Sequence, residues 1–236
     1  MATYKTLAAS LDWPTGQPPS QTTTLICSSL SAPGDILLPH FLSSDHAVLL
    51  SFTQTSNHYM HILRKMGVHR PKIHFVNALT DFSLDALPSA TRPKLTVNGD
   101  WPRFYQWLAG QPENTTLVVD GLCSLMDQGM SAAQAAGVFD TCRRITELLG
   151  GRLVVSVFLD EFTEKLVRAL VRRSHYVFNF EGLASGASSD VSGQLTAVPG
   201  HLNCQTAKAF KPVHLHYKVA DTAVQFFSPG QSRTVL

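Results

Sequence analysis

NTTLVVDGLCSLMDQG, Asn114 to Gly129, decides how the rest of the chain is read. Thr115 to Val119 is a β-branched and apolar run of strand length that ends in a carboxylate, Asp120. An unbroken apolar run predicts a strand covered on both faces, as in the middle of a parallel sheet. A carboxylate at the C-terminal end of such a strand stands where open α/β sheets place their ligands. In phosphate-loop NTPases an acid in this position holds magnesium. The plainer alternative is an ordinary central strand whose Asp120 starts a turn or caps a helix. What separates the two is whether a phosphate loop accompanies the strand.

A phosphate loop needs glycines whose backbone N–H groups surround phosphate, a lysine that reaches the terminal phosphates, and a hydroxyl for magnesium. Its place is between the first strand, Thr22 to Cys27, and the first helix, at Ser28 to Asp35, SSLSAPGD. That segment has a single glycine, Gly34, followed by Asp35, whose charge repels phosphate. No lysine occurs between Lys5 and Lys65. An intact ATPase site within this chain alone is therefore not expected, and Asp120 loses most of its weight as a magnesium ligand.

Working outward, residues 1–21 contain Trp13-Pro14, Gly16, Pro18 and Pro19 and read as an irregular lead-in. Ile36 to Leu42 reads as a short helical segment despite Pro39, and Ala47 to Phe52 as a second buried strand. Tyr59, Ile62, Leu63 and Met66 recur at helical spacing and predict a helix over Asn57 to Met66, with Ser56 as its cap and Gly67 at its left-handed end. Lys72 to Asn77 is a third strand. Asp81 to Gly99 is a proline-containing connection, and Asp100 caps a helix to Ala109 that buries Trp101, Phe104, Tyr105 and Leu108.

After the central strand, Ser131 and Gln134 make a capping box. Behind it, Ala132, Ala135, Ala136, Phe139, Cys142, Ile145 and Leu149 form one apolar stripe. Arg152 to Leu159 is another buried strand, followed by a helix from Phe162 to Arg173 and a strand from His175 to Phe180. Gly182 to Gly193 is a Gly/Ser turn region. Gln194 to Val198, Val213 to Lys218 and Ala223 to Phe227 then read as antiparallel strands. Repeated β-α units followed by strands predict an α/β fold: a mostly parallel twisted sheet with helices on both faces and antiparallel C-terminal strands.

Charged residues make up only 15% of the chain and hydrophobic ones 44%, which argues against disorder and for a surface partly covered by partners. A net charge of +2 excludes a global demand for nucleic acid or membrane, so any basic site must be local. The four cysteines are widely spaced with no CxxC pair, which argues against a zinc site and a disulfide framework. No signal peptide is read at the N-terminus, and no apolar run reaches the roughly 20 residues that span a bilayer.

Four stretches combine into a resemblance. They are SFTQTSNHYMHILRKMGV (Ser51 to Val68), VVDGLCSLMDQG (Val118 to Gly129), EGLASGASSDVSGQL (Glu181 to Leu195) and YKVADTAVQFFSPGQSRTVL (Tyr217 to Leu236). In this order the chain resembles the Elongator complex subunit 6 family from Thr23 onward. The resemblance implies a RecA-like three-layer fold without a phosphate loop, as one domain over residues 22–236. It implies no cofactor and no catalytic residues of its own. It implies partners: the fourth and fifth Elongator subunits in a heterohexameric ring, the catalytic half of the complex, and tRNA bound by the ring. The role implied is support of wobble-uridine modification in tRNA, in the cytoplasm and also the nucleus, with no membrane. The alternative is an ATPase subunit that shares a composite nucleotide site with a partner's phosphate loop. A RecA-like scaffold unrelated to RNA is the third reading.

Candidate contact residues are the cations. Lys165, Arg168, Arg172 and Arg173 lie close together with no acid between them, and Arg168 and Arg172 share a helical face. They read as an RNA or subunit contact, or as a solvated helix end placed well for the helix dipole. Arg143 and Arg144 read as arginine fingers toward a neighbour, or as a plain exposed face. Lys208 and Lys211 are the second basic group. The loops Gly121 to Gly129 and Asp160 to Thr163 are not themselves basic. His58 with Tyr59 reads more simply as helix cap and packing than as acid–base chemistry. Asp127, Asp160 and Glu161 show no metal spacing, and His214 and His216 share a strand face without a third ligand.

Overall fold

The computed structural model describes residues 4–68, 72–78, 101–183, 186, 188, 190–204, 210–220 and 223–230. Its strands are β1 (Thr22–Ser28), β2 (Ala47–Ser51), β3 (Ile73–Asn77), β4 (Thr116–Asp120), β5 (Arg152–Phe158), β6 (Tyr176–Glu181), β7 (Gly193–Pro199), β8 (Val213–Val219) and β9 (Val224–Phe227). They form one sheet in the order β3-β2-β4-β5-β1-β6-β7-β8-β9. Pairings from β3 to β6 are parallel, and those from β6 to β9 are antiparallel.

The helices are α1 (Lys5–Ser10), α2 (Leu38–Leu42), α3 (Ser56–Lys65), α4 (Trp101–Ala109), α5 (Ser124–Asp127), α6 (Ala132–Leu148), α7 (Glu164–Val171) and α8 (His201–Cys204). Two cores flank the sheet. Leu25, Cys27, Leu117, Val119, Leu153, Val155 and Val157 face one way, onto α4, α6 and α7. Ile26, Val118 and Val154 face the other, onto α1, α2 and α3. The apolar stretches inside β1, β4 and β5 follow from this: between the strand ends, alternate residues enter opposite cores and are buried on both faces.

The capping box is formed as expected. Gln134 N–H donates to Ser131 Oγ, and Ser131 N–H donates to Gln134 Oε1 at 2.8 Å. Ser56 is not a cap; Thr55 precedes α3 in extended conformation and makes no side-chain capping bond. The helix expected from Phe162 starts two residues later, because Asp160 Oδ1 takes the N–H groups of Phe162 and Thr163 in a turn. Asp100 and the connection from Asp81 to Gly99 lie outside the described residues.

The lead-in is corrected. Lys5–Ser10 is a helix, and Tyr4, Leu7, Ala8, Leu11 and Trp13 are buried in the second core with Phe41 and Phe178. Tyr4 OH donates to Ile36 O at 2.7 Å, and Trp13 stands edge-on to Tyr176. Prolines 14, 18 and 19 draw attention to breaks and away from the helical spacing of Tyr4, Leu7, Ala8 and Leu11.

Candidate functional site

Asp120 ends β4 beside the ends of β2 and β5 and is 2% exposed. Its carboxylate is enclosed by hydroxyls. Tyr59 OH donates to Oδ2 at 2.6 Å, Ser51 Oγ at 2.9 Å, and Thr53 Oγ1 joins them. Ser156 Oγ donates to Oδ1 at 3.0 Å and accepts from Gly121 N–H at 2.8 Å. Burial and the Asp120 charge push the Tyr59 phenol well above its ordinary range, which keeps it a donor. Gly121 has φ +76°, and a Cβ there would overlap Thr53 Cγ2. The strand end that could hold magnesium is thus filled by four side chains from β2, the segment after it, α3 and β5. Tyr59 packs, as expected, and also serves this cage. The sequence reading missed the cage. Its one visible signal is that Ser51, Asp120 and Ser156 are polar ends or interruptions of three apolar runs.

The segment after β1 is closed on itself. Ser29 and Ala32 exchange backbone hydrogen bonds, and Gly34 N–H donates to Ser28 Oγ at 2.9 Å. A Cβ at Gly34 would lie 2.7 Å from Ile26 Cγ2 and 2.8 Å from Phe180. These N–H groups, which a phosphate loop would turn toward its ligand, are already engaged. Asp35 lines a cleft of about 290 Å³ between α3 and the β8–β9 hairpin, with His58, His61 and Lys65. Burial, with the nearby Asp120 charge, raises the Asp35 carboxyl pKa.

The cationic candidates divide. Arg143 Nη1 meets Glu147 at 2.5 Å, and its side chain is 20% exposed. Arg173 Nε meets Asp140 at 3.2 Å across the α6–α7 contact. Arg168 meets Glu164, just upstream of the cluster, at 2.5 Å. Arg144, Lys165, Arg172 and Lys211 are exposed and make no ion pair among the described residues. Lys208 lies outside them. Helices α6 and α7 connect parallel strands, so their C-terminal turns lie at the amino edge of the sheet. Arg144 and Arg172 are there. So is Lys211, which precedes β8 where Val213 pairs Ala197 near the amino edge.

The carboxyl edge has the opposite character. Residues 29–35, 121–131, 159–163 and 182–192, which follow β1, β4, β5 and β6, contain no lysine or arginine. They do contain Asp35, Asp127, Asp160, Glu161 and Asp190. No group of three His, Cys, Asp or Glu among the described residues is arranged to hold a metal. His214 bonds Thr196 Oγ1 at 3.2 Å, and His216 packs on Phe227. Cys27 and Cys142 are buried, and burial pushes both thiols up to about 12. No helix among the described residues is long and apolar enough to cross a membrane.

This architecture, with its two helical layers and antiparallel end, is RecA-like. A KaiC-like protein of the archaeon Pyrococcus horikoshii superposes with a TM-score of 0.59 at 12% identity, over 90% of this chain and 92% of its own. A second, uncharacterized P. horikoshii protein, solved with an unknown peptide, gives 0.61 at 12% identity over 94% and 98%. The fold is thus that of RecA- and KaiC-like proteins, with the segment after β1 closed. The family model of Elongation complex protein 6 matches residues 4–221, and the chain belongs to that family. Elongator complex protein 6 of Xenopus laevis is 28% identical over 90% of this chain and 92% of its own length. The Mus musculus protein is 27% identical over 91% and 93%, and the Homo sapiens protein 26% over 90% and 92%.

Proposed function

We propose that this chain is a non-catalytic subunit of the Elongator complex, joined with the fourth and fifth subunits in a heterohexameric RecA-like ring that binds tRNA and supports wobble-uridine modification. The observation that carries this reading is the pairing of family membership with a closed phosphate segment: the fold remains, while the groups that would hold nucleotide and magnesium bond each other. The reading places the protein in the cytoplasm and nucleus, as one domain that includes the N-terminal helix. The purified chain alone is expected to hydrolyse ATP no faster than background. Steady turnover by the isolated chain would overturn its non-catalytic part.

The tRNA contact is assigned to the amino edge, on Arg144, Arg172 and Lys211, because these cations have no carboxylate partner among the described residues. Few aromatics accompany them, so the contact is electrostatic and indifferent to sequence. In an assembled ring, Arg144→Glu with Arg172→Glu should weaken tRNA binding without altering preference among tRNAs. Each lost phosphate contact should lower the log–log salt slope by about 0.7 to 0.9. An unchanged slope in a normally assembled ring would mean that this face is only solvated.

A further inference from the structure

An apolar corner at the carboxyl ends of β1 and β5 is left uncovered. Leu30 is 90% exposed and Phe162 84%, with Phe158 and Leu159 exposed beside them. The two strands are paired from Thr22 with Arg152 to Ser28 with Phe158, and Leu159 N–H continues the ladder to Ser28 O at 2.8 Å. The turn that presents Phe162 is fixed by four bonds. Asp160 Oδ1 accepts from Phe162 and Thr163 N–H at 2.9 and 2.7 Å. Thr163 Oγ1 donates to Phe158 O at 2.7 Å and accepts from Asp160 N–H at 3.0 Å. A large aromatic held out into water by a built turn, beside three other apolar side chains, marks a contact surface.

The rim identifies the partner. Asp127, Asp160, Glu161 and Glu181 stand on the loops and strand ends at this corner, and their four charges outweigh the one of Lys165 in the first turn of α7. Asp160 belongs to the Phe162 turn itself, and Cys123, in the loop that leads into α5 and Asp127, accepts Phe158 N–H on its Sγ at 3.0 Å, so the segments that carry both acids meet at this corner. A phosphate, whether of RNA or nucleotide, would be repelled. A protein surface with an apolar socket and a basic rim is complementary in both shape and charge.

We infer that this corner is a protein-docking face that inserts Phe162 into an apolar socket rimmed by Lys or Arg on a neighbouring subunit. This rests on the reading of the chain as an assembly subunit, and adds which face docks and what chemistry receives it. The single chain then meets protein at its acidic, apolar carboxyl edge and RNA at the exposed cations Arg144, Arg172 and Lys211 of its amino edge.

The test uses the full chain co-expressed with the fourth and fifth Elongator subunits, with assembly followed by native mass measurement and by titration at several salt concentrations. Phe162→Ser should weaken assembly by about tenfold or more, the loss of a hot-spot aromatic. Glu161→Lys should weaken it too and flatten its salt dependence. Leu148→Ser, exposed at the end of α6 on the opposite edge, should leave assembly unchanged. The isolated variants should melt as wild type, since the altered side chains are exposed. Normal assembly of both edge variants would overturn the docking face while leaving the assembly reading intact. Loss of tRNA binding by a fully assembled Phe162→Ser ring would overturn it in favour of RNA. Failure of the wild-type chain to join either subunit would remove the assembly reading, and the docking face with it.

Discussion

Asp120→Ala is expected to destabilise the isolated chain by about 4 kcal/mol, because it strips an acceptor from four hydroxyls, of which those of Ser51, Tyr59 and Ser156 have been taken out of water. Tyr59, Thr53 and Ser156 lose their acceptor outright, while Ser51 still has Gln54 O at 2.8 Å. For a chain of this size the melting point should fall by roughly 8–16 °C. Asp120→Asn keeps the shape and one acceptor oxygen, and should cost about half as much. Thermal melting by circular dichroism measures both. A melting point within about 2 °C of wild type for Asp120→Ala would show that the hydroxyl cage contributes little. Magnesium should leave the wild-type melting point unmoved, since the carboxylate is buried and its oxygens are engaged.

Acid should unfold the chain through His40. Its ring lies tilted beside that of Tyr4, centroids 4.5 Å apart, and neither ring nitrogen has a partner among the described residues. Burial pushes its pKa from 6.5 down to about 4. The unfolded chain therefore binds the proton more tightly than the folded one. Stability is complete above pH 6.5 and is lost as pH falls from 6.5 toward 4, where the loss totals about 3 kcal/mol. His175 acts in the same direction: burial lowers its pKa, and its Nδ1 accepts Thr23 N–H, a bond that protonation of that nitrogen removes. Denaturant midpoints measured from pH 7.5 to 4.5 should decline in wild type and decline less in His40→Leu. Parallel declines in the two proteins would assign the acid sensitivity elsewhere.

The layered α/β architecture was legible in the sequence because burial on both faces leaves a local mark. Thr115 to Val119 and Arg152 to Leu159 read as central strands since Leu117, Val119, Leu153, Val155 and Val157 enter one core and Val118 and Val154 the other. The closed phosphate segment was equally legible, because the lysine and glycines it lacks are local features of SSLSAPGD. The N-terminal helix could have been read from Tyr4, Leu7, Ala8 and Leu11, but its burial depends on a surface supplied by α2 and β9. The basic cluster looked freer than it is. Arg173 finds Asp140, which lies on a different helix, and only the packing of α7 on α6 brings them together.

What the sequence determined by itself was the period of each segment, and with it the order of strands and helices and the absence of a phosphate loop. What only the tertiary structure decided was which polar groups meet. Ser51 and Ser156 lie 69 and 36 residues from Asp120, yet both bond its carboxylate, because the parallel register sets the ends of β2, β4 and β5 side by side. Hydrophobic periodicity is a property of neighbours along the chain. Neutralising a buried charge depends on neighbours in space, and those are fixed only when the strands pair.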